Sequence, residues 1–181
     1  HNHTLSMSAG SERIRVMTSL GYLDQNGIIK NANFKRYNLR NNMDIRMNDR
    51  LNFRLDIAAT YSRRAANPYQ SSVFGFMNSK DPLMLAQWSD GSYAPFTGGT
   101  ANPLPMIEQG VGGNNIRQNG VLKASAALEY KPVQWLTLEV KAAPQLTAVK
   151  THRFVDLVEY HSDPYGTVSK TSNAEYNSLD E

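Results

Sequence analysis

The chain has 181 residues, 19 Lys+Arg against 16 Asp+Glu, a formal net charge of +3, 40% apolar residues and no cysteine. That balance excludes ordinary disorder, and the lack of thiols excludes a disulfide framework, a thiolate metal site and a cysteine nucleophile. The longest apolar run, Pro82 to Ala86, falls far short of the roughly 20 residues a membrane helix needs, whereas a membrane β-barrel uses every second residue and is not excluded.

The opening His1-Asn2-His3-Thr4 lacks the initiator Met, charged n-region and apolar h-region of a signal peptide. The expectation is a processed or internal segment. A first hairpin follows: Leu5, Met7 and Ala9 alternate up to a turn at Gly10-Ser11-Glu12-Arg13, and Ile14, Val16, Thr18, Leu20 and Tyr22 share one face of the return strand. Asp24-Gln25-Asn26-Gly27 predicts a turn with Asn-Gly at its tip. It is not a calcium loop, because Lys35 stands where a bidentate Glu belongs.

The second hairpin carries the clearest pattern. Odd positions from Tyr37 to Met47 and from Leu51 to Tyr61 are apolar except Asn41; even positions from Arg36 to Arg46 and from Asn52 to Ser62 are polar except Ala58. A helix would scatter these residues around its circumference, so the pattern predicts two long strands. A three-residue turn at Asn48-Asp49-Arg50 pairs Met47 with Leu51, Ile45 with Phe53 and Tyr37 with Tyr61, and sets Asp44 opposite Arg54.

A segment of about fifty residues, 63–115, then reads as a long loop. Asp81-Pro82 and Asn102-Pro103 each predict a capped helical turn or two, the second running to Gln109-Gly110. Ser89-Asp90-Gly91-Ser92 and Thr97-Gly98-Gly99-Thr100 predict turns. Gly110-Val111-Gly112-Gly113 lacks the strand, helix and Gly-Lys-Ser/Thr of a phosphate cradle.

The third hairpin alternates from Ile116 to Lys131, turns at Pro132-Val133-Gln134, and resumes at Leu136, Leu138, Val140 and Ala142. The segment 148–181 reads as a further open loop. The sum is six strands in three hairpins, with tight turns at one end and long loops at the other. Compact domains rarely keep structureless loops beyond about 12–15 residues, whereas outer-membrane barrels combine short periplasmic turns with long external loops. Arms of about twelve residues also suit the roughly 9–11 that span a bilayer. Tyr22, Tyr37 and Tyr61 fall toward one end of the apolar faces and Tyr130 toward the other, as interfacial belts require; Trp135 has the wrong parity.

Asn2-His3-Thr4-Leu5-Ser6-Met7-Ser8-Ala9-Gly10-Ser11-Glu12, Thr18 through Lys30, Phe34-Lys35-Arg36-Tyr37-Asn38-Leu39-Arg40, Glu129-Tyr130-Lys131-Pro132 and Trp135-Leu136-Thr137-Leu138 resemble the SusC-like (SusC/RagA) TonB-dependent outer-membrane transporters. The resemblance covers nearly all the predicted strands. It implies an all-β fold: an antiparallel up-and-down transmembrane β-barrel segment with long extracellular loops at 63–115 and 148–181. A family barrel has roughly 22 strands closed by a plug, so 1–181 is expected to be a partial barrel without plug or remaining strands. The resemblance further implies the outer membrane as location and import of glycan oligosaccharides or peptides. Its implied partners are a SusD-like surface lipoprotein, TonB acting through the plug, and outer-membrane lipid.

Candidate solute contacts are the loop aromatics, with Trp88, Tyr93, Phe96, Tyr160 and Tyr165 foremost; the same rings also suit small loop cores. Arg36, Arg40, Asp44, Arg46, Arg54 and Asp56 are the expected lumen-facing set, the arginines pairing with plug carboxylates. His152 and His161, nine residues apart, lack local metal-ligand spacing, and no Ser–His–Asp arrangement is supported. The expectation is no catalytic chemistry, cofactor, metal or nucleic-acid partner. Two alternatives share the pattern: a passive porin-type channel and a soluble all-β glycan-binding module.

Overall fold

The computed structural model describes residues 1–79, 81–95, 102–108, 113–155, 159–161, 168–170 and 174–180, with backbone alone at 70–72, 168–170 and 174–180. An antiparallel meander forms its frame: β1 (Asn2–Gly10), β2 (Ile14–Asn26), β3 (Asn33–Asn48), β4 (Leu51–Ala66), β5 (Asn114–Val133), β6 (Leu136–Ala142) and β7 (Gln145–Val155). A separate two-stranded ribbon holds β8 (Glu159–His161) and β9 (Val168–Lys170), and β10 (Ala174–Asp180) returns to border β7. The long connection between β4 and β5 contains two short helices, α1 (Gln70–Asn78) and α2 (Leu104–Ile107).

The central register is the one the parity demands. Ile45 faces Phe53, Met43 faces Leu55 and Tyr37 faces Tyr61, and Asp44 stands opposite Arg54. The tip differs. Asn48 pairs with Leu51 across a two-residue turn, and the register shifts between Arg46 and Asn48, so Met47 is a bulge. The bulge supplies the extra residue that a three-residue loop was expected to supply. The β5–β6 tip repeats this device: the register shifts between Tyr130 and Val133, and Pro132, which has no N–H to donate, lies inside the irregularity.

The expected six strands are extended at the C-terminal side. Ala126 faces Ala142 in β6 and Lys123 faces Gln145 in β7, a single uninterrupted register. β6 and β7 are therefore one sheet strand broken at Ala143-Pro144. The Pro144 carbonyl accepts from the Ala124 N–H at 3.0 Å but the imino acid returns no donor. Consequently 148–155 is strand rather than loop, and β10 adds a neighbour beyond it. Alternation fades here because Leu146 and Ala148 give way to Lys150 and His152 on the same face.

Other turn expectations are corrected locally. The β2–β3 turn closes with the Gly27 N–H on the Ala32 carbonyl at 2.7 Å, and its left-handed residue is Asn31, φ 66°, not the Asn26-Gly27 pair. Gly27 serves a close approach instead, since a Cβ there would lie 2.7 Å from that of Ala32. Asp81–Ala86 forms a turn, the Leu83 N–H donating to Asp81 Oδ1 at 2.9 Å, rather than a helix; α1 lies where none was expected. The second proline-led turn does form α2, with the Leu104 N–H bonded to Asn102 Oδ1 at 3.0 Å. Thr97–Thr100 and most of Gly110–Gly113 lie outside the described residues.

Among the described residues, neither face of the sheet carries a packed second layer. Within β1–β7 only Ala127 and Val155 are buried, while Leu5, Met7, Leu138, Val140 and Leu146 are exposed. A soluble sandwich buries one face of each sheet, and this arrangement does not. No helix among the described residues is long and apolar enough to cross a membrane, which leaves the strands to carry that question.

Candidate functional site

Register and parity together sort the sheet into rows. On the apolar face Leu20, Leu39, Ala59, Leu122 and Leu146 face one another strand by strand. The row beside it is His3, Tyr22, Tyr37, Tyr61, Gly120 and Ala148. Its rings form a ladder, with centroids 6.4 Å apart for His3–Tyr22, 5.1 Å for Tyr22–Tyr37 and 6.3 Å for Tyr37–Tyr61, within the range of favourable aromatic contact. A concavity of about 930 Å³ runs over both rows. Its apolar lining suits hydrocarbon better than a polar solute.

Polar residues on this face include Asn41, Gln118, Lys150 and His152, and the first of them is satisfied across a strand pair. Asn41 Nδ2 donates to Thr18 Oγ1 of the paired strand at 2.8 Å, so the amide need not seek water. At the turn end Tyr130 faces Leu51, ten residues from Tyr61 along β4. At about 3.4 Å per residue and a tilt near 40°, that separation spans roughly 25 Å, the height of a barrel's apolar band.

The polar face gathers the expected set. Arg36, Arg40, Asp44, Arg46, Arg54 and Asp56 all lie on it by register. The expected Asp44–Arg54 ion pair does not form, although the two residues are opposite. Arg54 reaches Glu139 at 3.3 Å and Glu129 at 3.8 Å instead, and Lys131 holds Glu129 at 2.9 Å. Asp56 accepts from Asn42 Nδ2 at 2.6 Å. These contacts bind β3 to β4 and draw β4, β5 and β6 together near the tight turns.

The loop aromatics converge through hydrogen bonds distant in sequence. Trp88 Nε1 donates to the His161 carbonyl at 2.8 Å, the His161 N–H donates to the Tyr93 carbonyl at 2.8 Å, and Tyr160 Oη donates to the Asn102 carbonyl at 3.3 Å. Tyr93 Oη bonds Glu108. Asn102, fully buried, donates from Nδ2 to the carbonyls of Ala86 at 2.6 Å and Ala94 at 2.9 Å. Burial, together with the Glu108 hydrogen bond, pushes the Tyr93 phenol up to about 12; burial does the same to Tyr160. Trp88 and Tyr93 are half-buried and Tyr160 is buried, so Tyr160 serves the loop's own core. Phe96 and Tyr165 lie outside the described residues. Among the described residues no group of three metal-ligating side chains converges.

No family model matches the chain. Over 158 residues it is 27% identical to TonB-dependent receptor P26 of Formosa agariphila, covering 85% of this chain and 15% of the relative. It is 30% identical over 157 residues to TonB-dependent receptor P39 of the same organism, covering 83% of this chain and 13% of the relative. Among solved structures, the RagAB peptide importer in its closed-closed state superposes with a TM-score of 0.61 at 19% identity, over 92% of this chain and 19% of that one. This chain is a barrel segment of the TonB-dependent receptors.

A TonB-dependent receptor segment of this extent spans only 13–15% of the length of the curated relatives. The meander therefore represents one stretch of barrel wall. Sequence reasoning passed over part of its polar face. Arg64 and Arg153 lie past Ser62 and Ala142, where the traced alternation ended, yet Arg64 faces Arg117 and Arg153 faces Asn115. Continuing the same parity by two residues would have found Arg64.

Proposed function

We propose that this segment forms part of the wall of an outer-membrane importer, its apolar face against hydrocarbon and its polar face lining the solute path. The supporting observation is the segregation of the two faces across six successive strands. An aromatic ladder borders the apolar band at the loop end and Tyr130 at the turn end. In this reading the tight turns are periplasmic and the loops extracellular. Arg36, Arg40, Asp44, Arg46, Arg54 and Asp56 face the lumen, and Trp88 and Tyr93 present their exposed edges to the entering solute.

The solute is an oligosaccharide or a peptide. A SusD-like lipoprotein caps the entrance, and TonB drives a plug supplied outside these residues. The chain contributes no catalytic step. Deletion of the corresponding gene should abolish uptake of that solute, and deletion of TonB should do the same. Uptake that persists without TonB would favour a passive channel.

A further inference from the structure

The loop end of the polar face brings three arginines onto adjacent strands. Arg64 of β4 and Arg117 of β5 are direct cross-strand partners. Arg117 faces Thr151, and Arg153, two residues further along β7, faces Asn115. Like charges directly opposite one another oppose strand pairing. Among the described residues no carboxylate pairs with any of the three, whereas Arg54 and Lys131 at the turn end both meet glutamates.

Two of the three arginines are walled. Arg64, Arg117, Asn115 and Thr151 share a pocket of about 620 Å³ with Asn67 and Phe74, a volume typical of ligand sites. The loop side is held firmly: buried Asn67 donates to the Met106 carbonyl and accepts from the Tyr69 N–H at 2.8 Å. That anchor sets the position from which α1 starts and brings half-exposed Phe74 to the pocket wall. Guanidinium groups donate in a planar fork that matches carboxylate, sulfate and phosphate oxygens, while amide, hydroxyl and ring complete a surface suited to the rest of a polar oligomer.

We propose that Arg64 and Arg117, backed by the Asn67–Phe74 wall, form a subsite for an oxyanion carried by the transported solute. This rests on the import reading for its location at the lumen mouth, and it narrows the solute to one bearing carboxylate, sulfate or phosphate groups.

Titration calorimetry on the intact outer-membrane protein carrying this chain, in detergent, tests it. The probes are tetragalacturonate, a sulfated galactan tetrasaccharide, a phosphorylated mannotetraose, tetraglutamate and neutral galactotetraose. At least one anionic probe should bind about tenfold or more tightly than galactotetraose and weaken with added salt. The probe that binds identifies the source of the oxyanion. Arg64→Gln with Arg117→Gln should remove that preference, and Arg64→Lys should retain part of it. Correct folding of the variants is read from heat-modifiable gel migration, and relief of like-charge repulsion should leave their melting temperature equal or higher. Equal binding of neutral and anionic probes, no binding of any anionic probe, or unchanged binding by the double Gln variant would overturn the subsite. Binding is measured without energisation, so TonB-independent uptake would defeat the import reading while leaving this result standing.

Discussion

Ile57 shows how much one side chain decides. It lies on the apolar face between Asn41 and Ala124, midway between the levels of Leu51 and Tyr61. Ile57→Arg should therefore cost roughly 2–4 kcal/mol in reversible unfolding from liposomes, the cost of a cation at the bilayer midplane. The same arginine at neighbouring Ala58, on the polar face, should cost far less. Equal penalties would mean that β4 has no lipid side. Asn102 plays the corresponding part in the loop. Its side chain joins Ala86, Ala94 and Leu104, and Asn102→Ala would leave buried backbone groups unsatisfied at about 1–3 kcal/mol. Limited proteolysis should then cut the 81–108 region faster while the strands stay protected; unchanged cleavage would remove Asn102 as the loop's anchor.

Among the elements, the β6–β7 break is the most instructive. Ala124 and Pro144 occupy a pair that exchanges two ladder bonds in an ordinary strand, and only the Ala124 N–H bond exists. Pro144→Val should restore the missing donor and stabilise the sheet by about 0.5–1.5 kcal/mol, with a slowly exchanging new amide at residue 144. A fast-exchanging amide with unchanged stability would show that β6 and β7 are separate elements after all. Sequence reasoning stopped at Ala142 because proline ordinarily ends a strand, and because Lys150 and His152 then break the apolar face. Parity was legible from Ile14 to Tyr22, Arg36 to Ser62 and Ile116 to Ala142 since a two-residue period is a local property. Bulges at Met47 and beside Pro132 were not, since they arise from how the turn closes. The loop cluster was hidden for another reason: Trp88–His161 and Tyr160–Asn102 are contacts across 73 and 58 residues, and no local spacing encodes them.

At the scale of the whole molecule, the sheet is a wall whose two sides answer to different solvents. Exposed Leu5, Leu20, Leu39, Leu122 and Leu146 lie along a continuous apolar surface of a kind that soluble monomers avoid, and the opposite surface is laced with ion pairs and amides. An open sheet edge is not tolerated in hydrocarbon, so this wall functions only with further strands completing a barrel. The absence of cysteine from the chain makes the decisive measurement direct. Nitroxide labels placed singly from Asn52 to Tyr61, in the complete protein reconstituted in liposomes, report collision with dissolved oxygen and with a polar nickel chelate. Oxygen access should peak at 53, 55, 57, 59 and 61, out of phase with chelate access at 52, 54, 56, 58 and 60. If the odd positions were shielded from both reagents, the apolar face would be packed inside protein and the barrel-wall account would be contradicted.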